Sequence, residues 1–170
     1  MIAGSRRTGQ RRTGQAAVLA AAALLLAGCG ADKPTVTFDV GGNALVAAPT
    51  QFCDTKMQNC ADEPNARVAA PVPPGTEVKI SVPDEVSSAP WQIVYAFTRP
   101  GQKAAVQQRV PLTELSGRNE YTLRLPEPGD TLVTAQVQLY GPAPSIDPQS
   151  RQIQFPIRAT WVLVGEGAPA

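Results

Sequence analysis

Few side chains in this sequence are suited to covalent chemistry. Three cysteines, Cys29, Cys53 and Cys60, supply the thiols, and the 170 residues contain no histidine. Histidine is the usual general base at neutral pH and the commonest metal ligand. Its absence excludes Ser-His-Asp and Cys-His nucleophile systems and any His-ligated zinc site. Asp84 and Glu85 form the acidic pair nearest an aromatic run. Neighbouring residues of a strand or turn point in different directions, whereas a glycosidase needs two carboxylates about 5–9 Å apart facing one bond. The pair therefore reads as a turn ahead of Trp91. Ser87 and Ser88 have no base to activate them, and neither Lys79 nor Lys103 stands in an S-x-x-K arrangement. The expectation is a protein with no catalytic residue, no metal and no cofactor.

Cys29 has a different context. Residues 1–15 carry Arg6, Arg7, Arg11 and Arg12 and no acid, and Ala16 to Ala27 are all apolar. A basic stretch, a short apolar run and then small residues form a secretory signal pattern, and the run is too short for the roughly 20 apolar residues of a spanning helix. Leu26-Ala27-Gly28-Cys29 resembles the bacterial lipobox, in which a diacylglyceryl group is attached to the Cys sulfur and the chain is cut just before it. Ser5-Arg6-Arg7 is similar to the start of a twin-arginine signal, but Gly9-Gln10 stand where apolar residues are usual; the general secretory route is preferred. Cleavage would leave 142 residues with 11 basic and 14 acidic side chains, a formal charge of −3 against +1 for the whole chain. That balance argues against nucleic acid as a partner. Membrane attachment is then expected from the lipid, on the outer face of the cytoplasmic membrane.

Cys53 and Cys60 remain. Their spacing is not the C-x-x-C of thioredoxin-like sites, and no further ligands complete a zinc shell. In an oxidising compartment the expected state is one disulfide closing a short loop. Asp54, Asp62 and Glu63 nearby lack the alternating acids of a calcium loop and read as solvated charges.

The elements that would position these residues are strands. Period-two alternation marks Val36/Phe38/Val40, Val78/Ile80/Val82, Trp91/Ile93/Tyr95/Phe97 and Tyr121/Leu123/Leu125. It continues through Val133/Ala135/Val137/Leu139 and a last long run of Ile153, Phe155, Ile157, Ala159, Trp161 and Leu163. Gly41-Gly42, Pro73-Pro74-Gly75, Pro100-Gly101, Pro128-Gly129 and Gly141-Pro142 punctuate them. Residues 111–115 have room for one helical turn. The fold class expected is all-β, an immunoglobulin-like β-sandwich of about seven to eight strands. The stretch from Glu120 to Val133 resembles the E–F corner of fibronectin type III-like domains, without the family's corner tyrosine. The expected organisation is a signal peptide at 1–28, a lipidated tether at 29–34, the sandwich at 35–164 and a tail at 165–170.

Taken together, the lipobox, Thr-Gln-Phe-Cys-Asp at 50–54 with a second Cys soon after, and Val-Pro-Asp-Glu-Val-x-x-x-Pro-Trp at 82–91 resemble one family. It is the actinobacterial cell-envelope lipoprotein family known as domain of unknown function twenty-seven seventy-one. The resemblance implies an envelope lipoprotein and no catalytic residue.

Two sets of residues are candidate contacts. Trp91, Tyr95 and Trp161 would line a groove for a small apolar or lipid ligand, although the same spacing suits a sandwich core better. Residues 141–150, with Ser145 and Ile146, form a proline-stiffened connection; such loops carry binding, and such prolines also guard sheet edges. The function expected is a non-enzymatic, lipid-anchored binding or scaffolding module for an envelope protein or lipid, with a small-ligand carrier or sensor as the alternative.

Overall fold

The computed structural model describes Met1 and residues 33–146, 149 and 151–167. The expected signal peptide, the lipobox Leu26-Ala27-Gly28 and Cys29 lie outside the described residues.

Strand β1 (Val36–Val40) turns back into β2 (Asn43–Ala47) through Gly41 and Gly42, whose φ angles of +59° and +92° are those of a two-residue primed hairpin turn. The Gly42 N–H donates to Asp39 Oδ1 at 2.7 Å. The short strands β3 (Gln51–Phe52) and β4 (Ala61–Asp62) flank the cysteine loop, and β5 (Val68–Pro71) follows one 3₁₀ turn. Next come β6 (Val78–Ser81), the one-turn helix α1 (Asp84–Ser87), β7 (Trp91–Thr98), β8 (Val106–Val110) and the one-turn helix α2 (Leu112–Leu115). The chain ends with β9 (Glu120–Leu123), β10 (Thr131–Tyr140), the two-residue strands β11 (Ser145–Ile146) and β12 (Ile153–Gln154), and β13 (Ile157–Glu166).

Two sheets result, antiparallel except where β5 joins, and the protein is an all-β sandwich. One sheet has the order β2-β1-β6-β9 and the other β4-β3-β13-β10-β7-β8, with β5 joining β13 in parallel. The 120–133 segment crosses between the sheets, since β9 lies in the first and β10 in the second. The inner faces meet through Val36, Phe38, Val78 and Ile80 on one side and Ile93, Phe97, Leu132, Val137, Leu139, Trp161 and Leu163 on the other, all buried.

Three details depart from the sequence reading. In β10 the inward residues are Leu132, Ala135, Val137 and Leu139, and Val133 is only half-buried. A bulge between Leu132 and Thr134 inserts one residue opposite β7 and reverses the alternation there. The run from Ile153 to Leu163 is not one strand, because Pro156, which has no N–H to give to a ladder, separates β12 from β13. Finally, β2, β5 and β8 carry no clean alternation. β8 is an edge strand whose inward positions are Val106, Gln108 and Val110, and the exposed Gln108 between the two valines breaks the apolar alternation.

Candidate functional site

Register fixes which loops share an end of the sandwich. Trp91 pairs with Leu139, and Leu139 with Ala159, so β7 and β13 start where β10 finishes. Thr37 pairs with Ser81, and Ser81 with Glu120, placing the starts of β1 and β9 beside the finish of β6. Residues 82–90 join Ser81 to Trp91 across that end, tied down by Asn119. Its Nδ2 donates to Asp84 Oδ1 at 2.8 Å and to Ser87 Oγ at 3.1 Å. The chain enters here too, at Lys33 and Pro34, and the Trp161 indole N–H donates to the Pro34 carbonyl at 2.9 Å. The Lys33 ammonium stands 6.0 Å from the centroid of the Phe52 ring.

The cysteine loop is part of the same end. Cys53 and Cys60 are joined by a disulfide. The Cys53 N–H donates to the carbonyl of Arg158, next to the start of β13. Asp54 is more than a solvated charge: its Oδ1 accepts from the backbone N–H groups of Lys56 and Gln58, and its Oδ2 accepts from Asn59 Nδ2. These bonds, the Gln58 amide first, hold its carboxyl below the usual carboxylate range. Met57 and Asn59 take the left-handed conformation, with φ of 59° and 50°. Met57 packs on Gly141, where any Cβ would come within 2.8 Å of its Sδ.

Between α1 and α2 lies an open cleft of about 570 Å³ lined by Ser87 to Trp91 and by Leu112, Thr113, Ser116 and Gly117. Trp91 closes its inner side; the residue is 1% exposed and its indole Nε1 has no hydrogen-bond partner. The one-turn helix α1 accounts for Asp84 and Glu85, both exposed, in place of the expected plain turn. The other two aromatic candidates stand elsewhere. Trp161 is fully buried in the sandwich, and Tyr95 is buried with its hydroxyl donating to Gln108 Oε1 at 2.8 Å. Removal from water raises the Tyr95 phenol's pKa. The three therefore do not form one groove.

The described ends of the connection after β10 pair with each other. Ser145 and Ile146 pair with Gln154 and Ile153 as a two-stranded ribbon. Ile146 is 70%, Ile153 67% and Phe155 59% exposed. The Phe155 ring meets Tyr140 edge-on at 6.2 Å. Sequence reasoning missed Ile153 and Phe155 as surface residues because it placed them in the core strand. It missed Leu112, which is exposed, because a lone turn has no periodicity to read. Among the described residues, no three His, Cys, Asp or Glu side chains gather as a metal ligand set, and no helix is long and apolar enough to cross a membrane.

No solved structure matches the chain. Among curated proteins, it is 28% identical over 97 residues to the uncharacterized protein Rv0875c of Mycobacterium tuberculosis and, equally, to the uncharacterized protein Mb0899c of Mycobacterium bovis. These alignments cover 57% of this chain and 59% of each relative, so the chain spans less than two thirds of their length. The model of the family described as "Protein of unknown function (DUF2771)" matches residues 30–164, and the chain belongs to that family.

Proposed function

We propose that the protein is a lipid-anchored, extracytoplasmic binding module without catalytic activity, held by Cys29 on the outer face of the cytoplasmic membrane. One observation carries the reading. The end at which the chain enters, at Lys33 and Pro34, also holds the disulfide loop, the α1–α2 cleft and the exposed apolar ribbon. An anchor four residues upstream of Lys33 brings all three surfaces to the membrane side, where another envelope component would be met. Among the described residues the opposite end carries the turns at 41–42 and 99–105 and a smaller cleft of about 220 Å³ lined by residues 75–77 and 124–128. Photo-crosslinking from position 112 and from position 103 in intact cells tests this. Adducts from position 112, in the cleft, and none from position 103 are expected. Adducts from position 103 alone would overturn the reading.

A second reading, a carrier of a small apolar molecule, is favoured by the cleft itself. Trp91, whose Nε1 is a buried donor without a partner, lines it beside Ala89, Pro90 and Leu112. An unpaired buried donor costs about 1–3 kcal/mol, which a relaxed cleft would recover by offering it an acceptor. Native mass spectrometry of protein isolated from its own envelope should then show a bound molecule that Ser116→Tyr, which fills the cleft, displaces. An empty wild-type protein would remove this reading.

A further inference from the structure

We infer that the β11–β12 ribbon is a second membrane contact, seating Ile146, Ile153 and Phe155 in the interfacial layer of the bilayer to which the anchor holds the domain. The inference rests on the proposed lipidation of Cys29. Sixteen residues, 141–156, are inserted between the finish of β10 and the start of β13. They carry three of the large apolar side chains that the described residues leave open to water. A folded domain seldom presents such a cluster without something to cover it.

The identity of the cover follows from chain length. From Cys29 to Lys33 there are four residue steps, and a fully extended chain gains at most about 3.3–3.6 Å per step. Lys33 is therefore within about 14 Å of a lipidated Cys29 in any conformation of the intervening residues. Lys33 enters on the same end as the ribbon, because Pro34 is bonded to Trp161 while the ribbon leads directly into Ile157 of that strand. A bilayer is thus the apolar medium that the anchor would hold on the ribbon's end of the domain. Charge neither drives nor forbids the contact. Lys33, Lys56, Arg118 and Arg151 are exposed on this end, balanced by the exposed acids Asp84, Glu85, Glu114 and Glu120. The left-handed Arg151, with φ of 56°, marks the turn between the two short strands. Trp, Phe and Leu side chains are the ones that interfacial segments bury about 5–10 Å deep.

The test uses the full-length protein purified from membranes with its native modification. It is reconstituted into phosphatidylcholine–phosphatidylglycerol vesicles with either ordinary or brominated acyl chains. Phe155→Trp reports on the ribbon, Ile146→Trp repeats the measurement should loss of the Tyr140 contact disturb the first, and Lys103→Trp reports from the opposite end. Emission is read as the difference from the parent protein, whose two tryptophans are buried. Floating vesicles that carry the protein, with the ribbon tryptophans losing about half their emission to bromine and Lys103→Trp losing none, are expected for a side chain at that depth. Protein that floats with the vesicles while neither ribbon tryptophan is quenched overturns the ribbon contact and leaves the anchor standing. A protein partner clamped on the ribbon would give that same unquenched result. Protein that bears no lipid and stays out of the floating fraction overturns both.

Discussion

Replacing each tryptophan by phenylalanine separates packing from hydrogen bonding, because both indoles are buried and only one of them has a partner. Trp161 is 0% exposed and donates to the Pro34 carbonyl; Trp91 is 1% exposed and its Nε1 donates to nothing. Either change removes roughly 40 Å³ of ring, which at ~24 cal/mol per Å³ of residual cavity costs about 1 kcal/mol. Trp161→Phe also strips the Pro34 carbonyl of its donor, a loss of about 1–3 kcal/mol, towards the lower figure because Pro34 is half-buried. Its total is about 2–3 kcal/mol. Trp91→Phe removes a desolvated donor, and the relief of about 1–3 kcal/mol offsets the cavity. Its net effect runs from zero to about 2 kcal/mol of stabilisation, so the two variants should differ by about 2 kcal/mol or more. Urea unfolding of the domain with the disulfide intact measures both, and equal m-values would confirm that only stability changed. Equal losses, or a larger loss at Trp91→Phe, would refute the reasoning. If the larger loss occurred only in protein taken from its native envelope, the Trp91 donor would be serving a bound molecule.

Gly165→Ala should destabilise by about 3 kcal/mol or prevent folding, because the added Cβ would lie 2.1 Å from the Leu132 carbonyl oxygen, a backbone atom fixed by the bulge; near-wild-type thermal stability would contradict it. Opening the Cys53–Cys60 bridge with the Cys53→Ser/Cys60→Ser pair should cost about 2.5 kcal/mol from the closed loop alone, read as a shifted denaturant midpoint, and no shift would count against it. The Asp54 carboxyl, depressed below 3.8 chiefly by the Gln58 amide, binds its proton less readily when folded than when unfolded. Its contribution to stability is therefore complete above pH 3.8 and lost as pH falls through the folded value. The Gln58 and Asn59 NMR signals should shift with a midpoint below pH 3.8, and a midpoint at or above that value would show the bonds do not form in solution.

The strands that build the sandwich core were legible because their two faces differ. Val36, Phe38 and Val40 against Thr37 and Asp39, or Val78 and Ile80 against Lys79, display their buried side in the pattern itself. β8 turns Val106 and Val110 inward, but the exposed Gln108 between them interrupts the pattern. Pattern alone also misplaced Val133, since a bulge costs one residue of phase without changing composition. Ile153 and Phe155 kept the parity of β13 across Pro156 by coincidence, and only the pairing of β11 with β12 shows that they face outward. The bridge between Cys53 and Cys60 was readable from count and spacing. The grouping of disulfide loop, cleft and ribbon at one end was not readable, because it depends on the register of both sheets, and no local signal encodes which strand ends lie together. Of the three aromatic candidates, Trp161 and Tyr95 bond within the fold, and Trp91 alone borders an opening.

The central claim is that Cys29 ties this end of the sandwich to a membrane. Intact-mass measurement of the protein extracted from the membrane fraction of its own cells tests it most directly. The account predicts a chain beginning at Cys29 and heavier than its sequence by a diacylglyceryl group, absent from the membrane-extracted mass of a Cys29→Ser variant. An unmodified Cys29, in a chain that begins elsewhere and is recovered in the soluble fraction, would contradict it.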